Sequence, residues 1–221
     1  ETSTLDDEEK LAVWRSVRQA VDVPLLAGSG SNDTAHSVEL SGRAAETGVD
    51  GLLVVGPYYN RPSQAGITGH IEAVADAVDL PIVLYDVPAR TGRAIDADLI
   101  IQLAHDIPNL VALKDARGNA GDAAKIISQT PAGFAHYSGD DVFTLPLLAL
   151  GAVGVIGVAT HWSAGRHRDM IAAFEKGDIA TARAINAQLL ASYESETIET
   201  PTSAAKAALS VLGQPCGPCR L

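Results

Sequence analysis

The chain has 221 residues, of which 47% are hydrophobic and 19% charged, and its formal net charge is −11. This composition excludes a disordered chain, because burial of the apolar residues can offset the loss of conformational entropy. The acidic balance argues against partners such as nucleic acid or an anionic membrane surface. Only Cys216 and Cys219 are available for disulfides, so a disulfide framework is excluded and a reducing, cytoplasmic environment is expected.

Short apolar runs of strand type recur along the chain, with helical patterns between them. The apolar residues within each run are continuous rather than alternating, which is typical of strands buried on both faces of a parallel sheet. The predicted strands are 23–27, 51–55, 81–85, 110–114, 135–138 and 153–159. The predicted helices are 5–20 after a Thr4 cap, 34–47, a stripe over 67–78, one after an Asp96 cap, 163–176, 179–194 and 202–212.

The order of these elements leaves two architectures open. One is a doubly wound open sheet, and the other is a (β/α)8 barrel with six of its eight strands present. The longest apolar segment, 145–159, contains one proline and three glycines, so it is interpreted as a helix followed by a buried strand rather than a membrane span. Three helical patterns follow the last strand without another strand, which predicts an all-α extension.

Candidate functional groups lie where the predicted strands end, because both architectures place their sites there. Lys114 follows the apolar run 110–113, where partial burial favours the neutral, nucleophilic amine. This lysine can form a Schiff base, or it can make a structural ion pair with Asp115 or another carboxylate. Tyr85 can transfer protons or simply line the interior, and Arg90 can bind a carboxylate or make a surface ion pair.

Four segments at these strand ends resemble the dihydrodipicolinate synthase family, which belongs with N-acetylneuraminate lyase to the pyruvate-dependent class I aldolases. The segments are Gly-Pro-Tyr-Tyr-Asn-Arg-Pro at 56–62, Tyr-Asp-Val-Pro-Ala-Arg-Thr-Gly at 85–92, Val-Ala-Leu-Lys-Asp at 111–115 and Tyr-Ser-Gly-Asp-Asp at 137–141. The resemblance implies a (β/α)8 TIM barrel with a C-terminal helical extension. We therefore predict a partial barrel over 1–176 and the start of the extension over 177–221.

The resemblance also implies roles for individual residues. Lys114 corresponds to the Schiff-base lysine, Tyr85 to the central tyrosine of a proton relay, and Tyr59 to the relay tyrosine that reaches a neighbouring subunit's site. Arg90 corresponds to the arginine that binds the carboxylate of the second substrate. Two further residues, Gly139 and Ile156, correspond to positions that line the pyruvate pocket.

The implied reaction is the condensation of pyruvate with L-aspartate 4-semialdehyde to 4-hydroxy-tetrahydrodipicolinate, in lysine and diaminopimelate biosynthesis. It needs no cofactor and no metal beyond the covalent pyruvate on Lys114, and the family is usually a homotetramer, a dimer of dimers. Related activities are alternatives, such as those of N-acetylneuraminate lyase and 2-keto-3-deoxygluconate aldolase, as is an inactive fragment or paralogue. A metal-dependent aldolase using His136 and His161 ranks lower, because Lys114 makes a metal unnecessary.

The chain departs from the family pattern at several places. The family's Gly-Thr-Thr-Gly-Glu motif and first two strands are missing, the chain begins at what resembles the end of that motif, and it stops at Arg220-Leu221 before the extension is complete. A fragment that is inactive as given is therefore expected. In a possible effector site for lysine, Asn32 and Tyr58 match, but His36 replaces a glutamate, so tight control by lysine is not expected.

Two local motifs are set aside. Cys216-Gly217-Pro218-Cys219 spells a thioredoxin tetrapeptide, but it follows the last predicted helix rather than a strand, so a plain connecting segment is favoured. Gly28-Ser29-Gly30 resembles the start of a dinucleotide fingerprint that lacks its third glycine.

Overall fold

The computed structural model describes residues 2–220, so the predictions that involve Glu1 and Leu221 lie outside the described residues. Six strands alternate with helices along this range. The strands are β1 Leu26–Gly28, β2 Gly51–Val55, β3 Ile82–Asp86, β4 Leu110–Asp115, β5 Ala135–Ser138 and β6 Gly154–Val155. The helices are α1 Asp7–Ala20, α2 Thr34–Ala45, α3 Gln64–Asp76, α4 Pro88–Thr91, α5 Ala97–Asp106, α6 Ala120–Gln129, α7 Thr144–Leu148, α8 Thr160–Glu175, α9 Ile179–Ser195 and α10 Pro201–Val211.

The sheet topology distinguishes between the two architectures that the order of the predicted elements left open. The strands follow one another in the sheet in chain order, from β1 to β6. The pairs β1–β2, β2–β3, β3–β4 and β5–β6 are parallel. A doubly wound sheet reverses its strand order at a switch point, whereas a (β/α)8 barrel adds each strand beside the previous one. The connectivity is therefore that of the barrel.

The described chain forms two compact units, residues 2–136 and 137–220. In the first unit, Leu52, Val54, Leu84 and Leu113 share one face of the sheet and are all fully buried. Burial of the strands is not continuous, because Leu26 and Val111 are each 39% exposed. The predicted apolar stripe of α3 is also buried, from Ile67 to Val78. In the second unit, α8 and α9 pack around Met170, Ala182, Ile185 and Leu189. Within residues 2–220, no strand follows β6, and the division at 176/177 stays a prediction.

Several predicted boundaries were wrong by a few residues. Helix α1 is capped by Asp6 rather than Thr4, because Asp6 and Glu9 form a reciprocal capping box at 2.8 and 3.0 Å. The strand predicted over 153–159 is shorter, because the Asp141 carboxylate accepts the Val158 N–H at 2.6 Å and the chain leaves the sheet. The helices of the described residues include none long and apolar enough to cross a membrane.

Of the two glycines in the segment 28–30, Gly30 has a packing reason. A Cβ added at Gly30 would lie 2.6 Å from the backbone nitrogen of Val55 and 3.1 Å from its carbonyl oxygen. The neighbouring Ser29 N–H donates to the Leu53 carbonyl at 3.2 Å, which holds the segment against β2. At Gly28, by contrast, an added Cβ meets no atom of the described residues within 4 Å. Close backbone approach, and not dinucleotide binding, therefore explains Gly30.

We expect Gly30→Ala to lower the free energy of unfolding by about 1–3 kcal/mol, because the backbone of β2 cannot move aside without losing ladder hydrogen bonds. The control, Gly28→Ala, should change it by about 0.5 kcal/mol or less, since its methyl group enters open space. Urea unfolding of both variants measures the difference. Equal losses would contradict the packing argument.

Candidate active site

The proposed nucleophile and the central relay tyrosine lie side by side on adjacent strands. Tyr85 of β3 and Lys114 of β4 are register partners in the parallel ladder. The Lys114 Nζ lies 4.1 Å from the centroid of the Tyr85 ring, and both side chains are half-buried. A lysine ammonium held over an aromatic face in this way is attracted by the ring, and the two side chains are on the same side of the sheet. The roles of Lys114 as nucleophile and of Tyr85 as proton relay stay predictions.

A cavity of about 430 Å³ in the first unit is lined by Tyr85 of this pair. Arg90, on the short helix α4, lines it together with Tyr58 and Tyr85, and the remaining wall is mostly apolar. Helix α4 begins at Pro88 and ends at Gly92, whose φ of 75° is the left-handed conformation that terminates helices. Among the described lining residues, Arg90 is the only one that is positively charged. A small anionic substrate matches this combination of an apolar wall and a guanidinium.

Two hydroxyl residues close the cavity on the N-terminal side. Thr2 and Ser3 belong to a short 3-10 turn, Thr2–Thr4, and both line the cavity. The sequence interpretation places this turn just after the family's threonine motif, whose final residue in this chain, Glu1, lies outside the described residues. The turn borders the same cavity as Tyr85 and Arg90.

Tyr59 points away from this cavity into solvent, with 86% of its surface exposed. Its backbone φ is 68° and that of Arg61 is 48°, so two non-glycine residues of one loop adopt the left-handed conformation. The loop is held by Asn60 Nδ2, which donates to the Asn32 carbonyl at 2.9 Å, and by Arg61 Nε, which donates to the Gly92 carbonyl at 2.9 Å. The turn therefore presents an aromatic ring outward at a cost in backbone strain.

The two residues of the possible effector site meet at a second cavity of about 510 Å³. Asn32 and Tyr58 line it together with His36, Asp7 and Lys10. The Asp7 carboxylate contacts His36 Nε2 at 2.8 Å and accepts a hydrogen bond from Lys10 Nζ at 3.0 Å. Burial raises the pKa of Asp7, but these two partners outweigh burial and hold it below its ordinary value. Because His36 stands where the family has a glutamate, it can pair with Asp7, and the Asp7 carboxylate is therefore already engaged by side chains of the protein.

The two remaining predicted site residues lie in the second unit. Gly139 follows β5, and Ile156 follows β6. The Ile156 N–H donates to the Ser138 carbonyl at 2.8 Å, so the residues just after these two strands are held next to each other. Both are half-buried at strand ends, and their role in lining a pocket stays a prediction.

A buried charged network, which the sequence interpretation missed, lies directly after the candidate pair in the chain. Asp86 follows Tyr85, Asp115 follows Lys114, and both carboxylates are buried. The Arg117 guanidinium donates to Asp115 at 3.1 and 2.8 Å and lies 3.5 Å from Asp86. The Asp115 carboxylate is thus paired with Arg117, and it also contacts His136 at 3.1 Å. The alternative of a structural Lys114–Asp115 pair is therefore not favoured. The sequence signal that could have indicated this network is the pair Asp86 and Asp115, which occupy matching positions after two buried runs.

Burial acts differently on the two carboxylates of the network. It raises the pKa of Asp86 to about 7, against the attraction of Arg117 and the hydrogen bonds from the Ile95 N–H. Burial also raises the pKa of Asp115, but hydrogen bonds from His136 and Arg117 outweigh it and hold the value well below the ordinary range. Near neutral pH, Asp115 is therefore the ionised partner of Arg117, while Asp86 titrates.

Two further sequence patterns can be compared with the structure of residues 2–220: the histidines considered for a metal site and the motif from Cys216 to Cys219. No group of three histidine, cysteine or acidic residues there has the arrangement of a metal site. His161, one of the two histidines considered for a metal, lies with Nδ1 2.8 Å from the Val158 carbonyl. The Cys216 and Cys219 segment follows α10, and Cys219 Sγ lies 3.6 Å from Ser203 Oγ. The strand-then-helix context of a thioredoxin motif is thus not what surrounds these cysteines.

We expect Asp86→Asn to stabilise the protein more at pH 8 than at pH 4.5. A carboxyl with a raised folded-state pKa contributes its full stability below its ordinary pKa of 3.8 and loses it as pH rises towards about 7. Each pH unit in this window costs about 1.4 kcal/mol, and the neutral amide escapes that cost. Thermal unfolding at both pH values measures the effect, with the exposed acid variant Asp79→Asn as control. A pH-independent difference would contradict the assignment.

Comparison with known proteins agrees with this fold. Residues 1–221 match the dihydrodipicolinate synthetase family. The chain is 45% identical over 223 residues to 4-hydroxy-tetrahydrodipicolinate synthase of Moorella thermoacetica, covering 100% of this chain and 76% of the relative.

Two solved structures are similar over the whole of this chain and 76% of their own. One is dihydrodipicolinate synthase from Cyanidioschyzon merolae with lysine bound, at 42% identity and a TM-score of 0.97. The other is the chloride-inhibited enzyme from Acinetobacter baumannii complexed with pyruvate, at 34% identity and a TM-score of 0.95. The barrel connectivity, the adjacent lysine and tyrosine and these matches lead to one conclusion: the chain belongs to the dihydrodipicolinate synthetase family of class I aldolase-type lyases.

Proposed function

We propose that this protein condenses pyruvate with L-aspartate 4-semialdehyde to 4-hydroxy-tetrahydrodipicolinate, with Lys114 as the Schiff-base residue. The observation that carries the proposal is the position of Lys114 Nζ, 4.1 Å from the ring centroid of Tyr85, which itself lines a cavity together with Arg90. Family membership supports the same reaction class. The proposal places the protein in lysine and diaminopimelate biosynthesis in the cytoplasm, with no cofactor beyond the covalent pyruvate.

In the first half of the reaction, the neutral Lys114 amine attacks the keto carbon of pyruvate. The carbonyl oxygen leaves as water, and an imine forms between Nζ and that carbon. Loss of a proton from the pyruvate methyl group then gives an enamine. Tyr85 and Tyr59 move the protons of these steps, together with a threonine of the family motif. Gly139 and Ile156 line the pyruvate pocket in this proposal.

In the second half, the enamine carbon attacks the aldehyde carbon of the second substrate, whose oxygen takes up a proton. The amine of that substrate then attacks the imine carbon, which closes the ring. The bond between that carbon and Nζ breaks, and Lys114 is released as the free amine. Arg90 binds the carboxylate of aspartate semialdehyde, because a guanidinium can donate two parallel hydrogen bonds to it. The substrate of a sugar-acid lyase would present neutral hydroxyl groups to this position. The guanidinium of Arg90 therefore favours aspartate semialdehyde.

The same proposal gives roles to the exposed loop and to the second cavity. Tyr59 acts in a neighbouring subunit of a homotetramer, and its 86% exposure on a strained turn supports that role. Asn32 and Tyr58 form an effector site, as a lysine-bound relative would suggest. Control by lysine is weak in this proposal, because Asp7 is already paired with Lys10 and His36 and the acid at position 36 is replaced.

We expect borohydride to trap a pyruvyl adduct on the complete protein that carries this sequence, because reduction makes the Lys114 imine permanent. The adduct should be lost in Lys114→Ala and retained in the control Lys125→Ala, whose lysine pairs with Asp98 elsewhere on the surface. Mass spectrometry of the intact protein and of its peptides measures the adduct. An adduct that persists without Lys114, or fails to form at all, would refute the Schiff-base assignment.

We expect Arg90→Ala to raise KM for aspartate semialdehyde by about 10–100-fold, the effect of losing a charged hydrogen-bond pair of about 1.5–3 kcal/mol. Trapping of pyruvate on Lys114 should be unchanged, since Arg90 acts on the second substrate. The control Arg93→Ala removes an exposed arginine of the same loop. Turnover of N-acetylneuraminate or 2-keto-3-deoxygluconate in place of the semialdehyde would favour the sugar-acid alternative.

A further inference from the structure

The strand alternation separates the reacting pair from the charged network. Tyr85 and Lys114 are register partners on β3 and β4, and so are the next residues, Asp86 and Asp115. Successive side chains of a strand point to opposite faces of the sheet. Tyr85 and Lys114 therefore share one face, and the two aspartates share the other, immediately behind them.

Two carboxylates directly opposite each other on adjacent strands repel, and burial increases the cost. Both aspartates are at most 3% exposed. Arg117 offsets this repulsion, because its guanidinium contacts both: it holds Asp115 with two hydrogen bonds, of 3.1 and 2.8 Å, and lies 3.5 Å from Asp86. Its own side chain is only 4% exposed, so the contact is screened little by water.

The same network ties backbone segments at the ends of both strands. The Arg117 N–H donates to Asp115 Oδ1 at 2.9 Å, and the Ala116 N–H donates to the Asp86 carbonyl at 2.9 Å. The Ile95 N–H donates to the Asp86 carboxylate at 3.3 Å. Side chains therefore join the ends of β3 and β4 one residue beyond Tyr85 and Lys114, where the hydrogen-bonded ladder of the two strands stops.

We propose that Arg117 is a positioning residue: by bridging Asp115 and Asp86 it fixes the separation of Lys114 and Tyr85 on the opposite face. The inference rests on the function proposed above for those two residues. Arg117 touches no reacting atom and acts through the strand ends. Its effect belongs to the chemical steps, because proton transfer between amine, phenol and substrate depends steeply on geometry, and a displacement of about 1 Å can cost about a hundredfold in rate.

Lysine is the informative replacement for Arg117. It keeps the positive charge that the two buried acids need, but it cannot donate two parallel hydrogen bonds to Asp115. The matched control is Arg18→Lys in the same compact unit. Arg18 Nη1 lies 2.7 Å from the Asp50 carboxylate, and this ion pair is far along the chain from the ends of β3 and β4. Asp115→Asn tests the same link from its other partner if Arg117→Lys fails to fold.

The experiment measures kcat and KM on the complete protein, with the number of competent sites counted by borohydride trapping of pyruvate. We expect Arg117→Lys to lower kcat per trapped site about tenfold while KM for pyruvate changes less than about twofold. Arg18→Lys should leave kcat per site unchanged. A merely structural role for Arg117 would reduce the number of trapped sites or the unfolding temperature without changing kcat per site.

The outcomes separate this inference from the proposed function. If the unchanged protein traps pyruvate on Lys114 and kcat per site is the same in Arg117→Lys and Arg18→Lys, the positioning role is wrong and the Schiff-base function stands. If Arg117→Lys does not fold, an unaltered kcat per site in Asp115→Asn overturns the role in the same way. Absence of a Lys114 adduct in the unchanged protein overturns both.

Discussion

The register between β3 and β4 is the constraint on which the site depends. It places Tyr85 beside Lys114 on one face and Asp86 beside Asp115 on the other. A shift of one residue in either strand would exchange the faces, burying the amine among the acids and exposing a carboxylate to the cavity. The apolar residues that precede both pairs, Leu84 and Leu113, are fully buried and resist such a shift. Hydrophobic packing below the site thus determines which polar groups meet above it.

The loops that follow these strands contain two further candidate residues. Arg90 lies on helix α4, which the left-handed Gly92 terminates, and Tyr59 lies in the loop after β2, where two non-glycine residues adopt the left-handed conformation. Arg61 links the two loops by donating to the Gly92 carbonyl. The cation and the exposed ring therefore belong to one connected structure, which rests on rigid parallel strands. Such an arrangement is typical of sites at the carboxyl ends of barrel strands.

The candidate site could be predicted from the sequence to the extent that its groups follow buried runs. Lys114 and Tyr85 each end a continuous apolar segment, and such segments predict parallel strands whose ends converge. The network behind them was not predicted, because Arg117 lies in a loop and nothing local indicates that its side chain turns back under the sheet. The cap of α1 was missed for a related reason: Thr4 and Asp6 are both good caps, and only the reciprocal bonds with Glu9 decide between them.

The sequence by itself determined the parallel α/β class, the order of its elements and the residues at the strand ends, because these depend on local periodicity and on which polar residues interrupt it. The tertiary structure decided the rest. Sequential strand order distinguished the barrel from a doubly wound sheet, a choice that apolar runs of either architecture leave open. The folded chain shows a cavity lined by Asn32, Tyr58 and His36, which the family resemblance had grouped, and it alone revealed Arg117 between two buried acids. Those contacts join residues distant in the chain or on opposite sides of a turn, and no local pattern encodes them.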